Sequence, residues 1–157
     1  MRIASILLVS ACFVACVVPP TPAERVTDVA RQLNLATRFG RMDVALQSTA
    51  KGARDTFMAR RNDWGKEIRV VDFELAGLEM PDADHATVMV DVQWVKMAES
   101  TLHTTRIAQT WRNGDEEGWR LVREKRAAGD IGLFGERIAM APALPHDDVQ
   151  FPSKTIR

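Results

Sequence analysis

At about Gly65 the hydrophobic period of the chain changes from helical to extended, and this change constrains the fold more than any other feature. Ala86 to Met97 is the clearest strand. Val88, Val90, Val92 and Trp94 share one face, and Met89, Asp91, Gln93 and Val95 share the other. Ile68 to Met80 alternates or runs apolar before the turn chemistry of Pro81-Asp82-Ala83-Asp84. Leu102 to Arg112 and Trp119 to Arg126 complete a set of four strands, with Asn113-Gly114 marking the last turn. Consecutive strands with short links predict an antiparallel meander. A turn at Glu99-Ser100 would set Val88 against Trp111, Val92 against Ile107 and Trp94 against Thr105. A loop over 113–117 would set Trp111 against Trp119 and Gln109 against Leu121. The opposite face would carry Asp91, Arg106 and Glu124 in a row, a cross-strand charge ladder.

The segment before Gly65 reads as helix. Thr21-Pro22-Ala23-Glu24 supplies a cap, a proline at the first helical position and the acid of a capping box. Val26, Val29, Ala30 and Leu33 follow at helical spacing, and Gly40 is the stop, which predicts a helix from Pro22 to Phe39. A short helix is expected over Asp43 to Gln47, and a third over Ala50 to Asp63 with Ala53, Phe57 and Trp64 on one stripe. The basic residues Lys51, Arg54, Arg60 and Arg61 are expected on its solvated face, where Asp55 and Asp63 dilute the charge. Helices followed by a four-stranded curved antiparallel sheet make the fold class α+β.

Composition narrows the function classes. The 157 residues carry 21 Lys+Arg and 21 Asp+Glu, a balance that argues against nucleic acid as a partner. Hydrophobic residues at 46% and charged residues at 27% fit a folded domain. There is no tyrosine, which excludes mechanisms that need a phenol. Both cysteines, Cys12 and Cys16, lie at the N-terminus, so the body has neither a disulfide nor a cysteine metal site.

That N-terminus reads as an address. Arg2 precedes an uncharged apolar run to Cys16, shorter than the ~20 residues of a membrane-spanning helix. It fits a secretory signal over residues 1–15. A small residue followed by cysteine, then Val-Val-Pro-Pro-Thr-Pro, resembles a bacterial lipoprotein signal, in which the cysteine thiol is acylated. Val9-Ser10-Ala11-Cys12 matches the lipobox residue types, but leaves a short signal. Phe13-Val14-Ala15-Cys16 has the better length, and Cys16 is the favoured lipidation site. Several acyl chains would tether the body stably to a membrane. By analogy with sorting rules, Val17 after the cysteine favours the outer membrane. Residues 16–21 form a proline-rich spacer, 22–136 a single domain, and 137–157, interrupted by Pro142, Pro145 and Pro152, a mobile tail. The glycine-rich segment Ala127 to Glu136 is expected to fold back through Ile131, Leu133 and Phe134.

From Thr21 to about Arg126 the element order resembles the nuclear transport factor 2-like superfamily, the cystatin-like α+β cone. The carrying residues are the Val88 to Trp94 strand, Gln109-Thr110-Trp111-Arg112 and Gly118-Trp119-Arg120-Leu121-Val122. The resemblance implies a sheet wrapped around helices with a pocket at one end. The superfamily includes isomerases, dehydratases, transport factors and small secreted or lipid-anchored proteins, so the fold implies no single function. The isomerase pattern needs a tyrosine, which is absent. The dehydratase pattern needs a His-Asp pair, and His103, expected opposite Lys96, lies far from Asp91.

No catalytic, cofactor or metal residue is assigned. His85, His103 and His146 have no ligand spacing, and no serine sits in a nucleophile elbow. The glycines of Gly129 to Gly135 lack the strand-to-helix context of a phosphate loop. Trp94, Gln109, Trp111 and Trp119 are either core or the lining of an apolar ligand pocket, with Gln109 orienting the ligand. Three functions are open. The first is a non-enzymatic, lipid-anchored envelope protein that binds a protein partner or has a structural role. The second is a carrier or sensor of a small apolar ligand, and the third a small enzyme with an unrecognised acid/base pair.

Overall fold

A computed structural model describes residues 19–114 and 117–136. The signal segment with Cys12 and Cys16, the start of the spacer and the 137–157 tail with His146 lie outside the described residues. Helix α1 (Pro22–Arg38) starts on the expected capping box: Glu24 N donates to Thr21 Oγ1 at 3.2 Å, and Thr21 N donates to Glu24 Oε2 at 2.7 Å. That backbone N–H holds the Glu24 carboxyl below its ordinary pKa. Helix α2 (Met42–Gln47) follows after Gly40, whose φ of 70° suits a residue without a side chain. The third expected helix is divided into a 3-10 turn (Lys51–Ala53) and α3 (Arg54–Arg60), ending three residues before the expected Asp63.

Strands β1 (Ile68–Glu79), β2 (His85–Lys96), β3 (Leu102–Gly114) and β4 (Gly118–Gly129) form one curved antiparallel sheet in the order β1-β2-β3-β4. The α+β meander is as expected from the sequence. The pairing is not. Val88 faces Gln109, Val90 faces Ile107, Val92 faces Thr105 and Trp94 faces His103, a displacement of two residues from the expected register. The cause is the turn. Glu99 N donates to Lys96 O at 2.9 Å and the Lys96 ammonium reaches Glu99 Oε1 at 3.0 Å, so the reversal is centred on Ala98-Glu99, one residue before the expected Glu99-Ser100. A shift of two keeps every side chain on its predicted face.

The second correction changes a face. Trp111 faces Leu121 rather than Trp119, and a bulge follows, so Thr110 faces Arg123 and Gln109 faces Glu124. The extra residue on β4 is Val122. It reverses the alternation, turning Arg123 outward and Glu124 inward. The expected ladder therefore ends at Asp91 and Arg106, which form a bidentate pair at 2.6 Å, and Arg106 faces Ala128. Arg106 holds the Asp91 carboxyl below its ordinary pKa.

The core lies between the concave sheet face and the helices. Val26, Ala30 and Leu33 of α1 meet Val88, Val90, Val92, Ile107 and Leu121 of the sheet. The free edge of β4 is covered where Leu121 N donates to Ser48 O at 2.8 Å and Ala50 N donates to Leu121 O at 2.9 Å. After β4 the chain folds back. Leu133 is buried and Phe134 packs on the core, as expected, while Ile131 is 40% exposed. Gly129 makes this turn with φ 82°. A side chain there would meet Thr104 O at 2.3 Å.

Candidate functional site

Four of the seven buried polar residues among those described gather at one place. Asn34 lies four residues after Ala30 on the buried stripe of α1. Its Nδ2 donates to Ala30 O at 2.8 Å and to Gln109 Oε1 at 3.1 Å, and Gln109 Nε2 donates back to Asn34 Oδ1 at 3.1 Å. Gln109 Nε2 also donates to Glu124 Oε1 at 2.9 Å. Glu124 is clasped by Arg61, whose Nη1 and Nη2 donate to Oε2 and Oε1 at 2.7 Å each. The side chains of this pair are 1% and 3% exposed. Arg61 belongs to the apolar stripe, four residues after Phe57 and three before Trp64. Its guanidinium carbon sits 3.7 Å from the Phe57 ring centroid and 4.8 Å from that of Trp64.

The expectation that Arg61 is solvated is thus overturned. The helical stripe carries it inward, and the bulge at Val122 supplies the carboxylate it needs there. Arg60 differs. It is half-buried, donates to the Glu124 carbonyl oxygen and lies 5.3 Å from the Phe134 ring. Both Glu124 carboxylate oxygens are engaged, so this carboxylate acts as counter-ion to Arg61 rather than as a free proton acceptor. Among the described residues, Arg61 Nε has no hydrogen-bond partner.

The four candidate pocket residues, Trp94, Gln109, Trp111 and Trp119, are all buried on the concave face. Trp94 Nε1 donates to Thr105 Oγ1 at 2.9 Å, and that hydroxyl donates to Asp130 O at 2.7 Å. Trp111 Nε1 and Trp119 Nε1 find no partner among the described residues. Gln109 bonds to protein neighbours. Trp64 is tied to the returning segment, its Nε1 donating to Leu133 O at 2.8 Å.

His103 stacks on Trp94, with centroids 4.5 Å apart, rather than facing Lys96. Its ring nitrogens stand 3.5 Å from Glu99 Oε2 and from Asp130 Oδ2. His85 meets Asp82 in the β1–β2 turn. Among the described residues no group of three or more His, Cys, Asp or Glu side chains is placed to hold a metal ion. Among the same residues no helix is long and apolar enough to cross a membrane. A cleft of about 250 Å³ opens between the Lys51–Arg60 segment and β4, and none of the four candidate pocket residues lines it.

Asn34, Arg61 and Glu124 are the site residues that sequence reasoning missed. The signal for Asn34 and Arg61 was a polar residue at a buried position of an amphipathic helix. Glu124 gave none, because a bulge placed it.

No protein-family model matches the chain, and no curated protein matches it. Solved structures do. One is the solution structure of a SEC-C motif containing protein from Rhodopseudomonas palustris, at 14% identity over 68% of this chain and 80% of that chain, TM-score 0.55. Another is a ketosteroid isomerase-like protein from Erwinia carotovora atroseptica, at 11% identity over 66% of this chain and 95% of that chain, TM-score 0.54. A third is a domain of unknown function with a cystatin-like fold from Nostoc punctiforme, at 12% identity over 64% of this chain and 73% of that chain, TM-score 0.50. At such identities the likeness concerns the fold alone. The described residues thus adopt the cystatin-like, nuclear transport factor 2-like α+β fold.

Proposed function

We propose that this chain is a lipid-anchored protein of the bacterial cell envelope whose domain has a non-enzymatic role, binding a protein partner or serving as structure at the membrane. Support for the anchor comes from the sequence, through the apolar run ending at Cys16 and the proline-rich spacer behind it. One structural observation favours the non-enzymatic role. The buried polar side chains between helices and sheet, Asn34, Gln109, Glu124 and Arg61, direct their hydrogen bonds at one another. A network of this kind, in which Arg61 Nε alone lacks a partner among the described residues, makes the interior rigid and leaves few groups for a substrate. The carboxyls whose pKa values are lowered, those of Glu24, Asp82, Asp91 and Glu99, belong to a helix cap, a turn, the outer sheet face and the β2–β3 turn. Val17 after the cysteine favours the outer membrane as the anchoring site.

The test is native mass spectrometry of the protein extracted from its own membrane. The expected spectrum shows acyl mass on a chain beginning at Cys16 and a bound protein companion. Cys16→Ser removes the acyl mass and Cys12→Ser leaves it. An unacylated chain would overturn the anchoring.

A second reading, a carrier of a small apolar ligand, is favoured by the buried Trp111 and Trp119 indole N–H groups that lack partners among the described residues. A small molecule retained in the same spectrum, together with a shift of both indole resonances when it is removed, would establish that reading instead.

A further inference from the structure

The cleft of about 250 Å³ between the Lys51–Arg60 segment and β4 has an apolar floor and a cationic rim. The floor is Phe57, Leu121 and Val122. The rim is Arg60 and Arg123, with the Thr56 hydroxyl beside them. The only carboxylate among the lining residues, Glu124, is matched by Arg61. Among the described residues neither Arg60 nor Arg123 has an ion-pair partner. Arg60 is held in place by the Glu124 carbonyl and the Phe134 ring, so part of the ordering cost of binding is met in advance. Arg123 is exposed and lines the cleft, the bulge at Val122 having kept it out of the core.

We propose that this cleft binds a small organic monocarboxylate, with the carboxylate between Arg60 and Arg123 and its apolar body on Phe57, Leu121 and Val122. Guanidinium groups match a carboxylate through paired N–H donors, and the floor rewards an apolar body but offers a bare inorganic anion nothing. The volume is below the ~300–1,000 Å³ of clefts that hold drug-sized ligands, so the ligand is small. An extended peptide is disfavoured as an occupant. The β4 edge is already engaged at Leu121 by Ser48 and Ala50, and at the Glu124 carbonyl by Arg60. The cleft meets the buried Asn34–Gln109 network at Glu124, and its occupancy does not depend on the anchor.

Hexanoate, hexanol, hexylammonium and inorganic phosphate, titrated separately into the uniformly ¹⁵N-labelled full chain, test the proposal. Hexanoate is expected to give saturable amide shifts at Gly52, Thr56, Arg60, Val122 and Arg123. Hexanol is expected to bind about fivefold more weakly, since it lacks the charge, and hexylammonium and phosphate to leave these amides unmoved. Arg123→Gln, an exposed change, should weaken hexanoate about fivefold with the remaining spectrum unchanged. Arg60→Gln should do the same if it folds, and Arg123→Gln decides if it does not. Equal binding of hexanoate and hexylammonium, phosphate binding as tight as hexanoate, shifts confined to other residues, or unchanged affinity in Arg123→Gln would each overturn it.

Discussion

Removing one member of the Arg61–Glu124 pair should be far worse than removing both. In Glu124→Leu the Arg61 guanidinium keeps its charge at a site where its side chain is 1% exposed, and Gln109 Nε2 loses an acceptor at 2.9 Å. In Arg61→Met the carboxylate is left with Gln109 as its one side-chain donor. Stranding a buried charge costs about 3–5 kcal/mol, whereas exchanging a whole buried pair for apolar side chains is often neutral or stabilising. The double variant Arg61→Met/Glu124→Leu should therefore lie within about 2 kcal/mol of the parent. It still loses the Arg61 contact with the Phe57 ring, but Gln109 retains Asn34, and Arg60 retains the Glu124 carbonyl, which is backbone. At ~4 °C per kcal/mol for a domain of this size, each single variant should melt about 12–20 °C below the parent. Urea unfolding followed by tryptophan fluorescence completes the double-mutant cycle. Single variants that each cost less than about 1 kcal/mol, or a double variant equal to the sum of the singles, would refute the reasoning that charge burial governs this site.

Three further outcomes follow from particular contacts. Gly129→Ala should cost at least about 2 kcal/mol in urea unfolding, because φ is 82° and the new carbon would stand 2.3 Å from Thr104 O, so an unchanged midpoint would refute the close approach. Trp64→Phe, which deletes the bond to Leu133 O, should speed hydrogen exchange at the amides of Gly132 to Phe134 by about fivefold while leaving β2 protected. The Asp91 carboxyl is lowered by Arg106, so its contribution to stability is complete above the ordinary carboxylate pKa and is lost as the pH falls through the lowered folded value. Asp91→Asn should therefore be less stable than the parent at about pH 7, and the difference should shrink as the pH is lowered below the ordinary carboxylate range; a difference that grew in acid would reverse the assigned sign.

Much of the fold was legible in the chain. The Val88–Trp94 alternation and the Thr21 capping box are local patterns, and each element formed where its pattern lay, whereas Asn113 and Gly114, expected as a turn, extend β3 and pair with Trp119 and Gly118. The register was legible only in parity. A β-turn at Lys96–Glu99 and a two-residue reversal at Glu99-Ser100 put the same faces together, so the hydrophobic pattern did not distinguish them. The candidate site was less legible. Gln109 was visible as a polar residue on the apolar face of β3, but its partners come from α1, the end of α3 and β4.

The sequence by itself determined the order of elements, the α+β class, the burial of the tryptophans of β2, β3 and β4, and the return of Leu133 onto the core. These follow from side-chain period and chain punctuation, which act over a few residues. Only the tertiary structure decided that Arg61 is buried and that Glu124 meets it. A helix face is inside or outside according to what packs on it, and a single extra residue in β4 chose between Arg123 and Glu124 for the interior. That choice rests on pairing between β3 and β4 and on a guanidinium arriving from a segment more than sixty residues away, neither of which is written in the local pattern of β4.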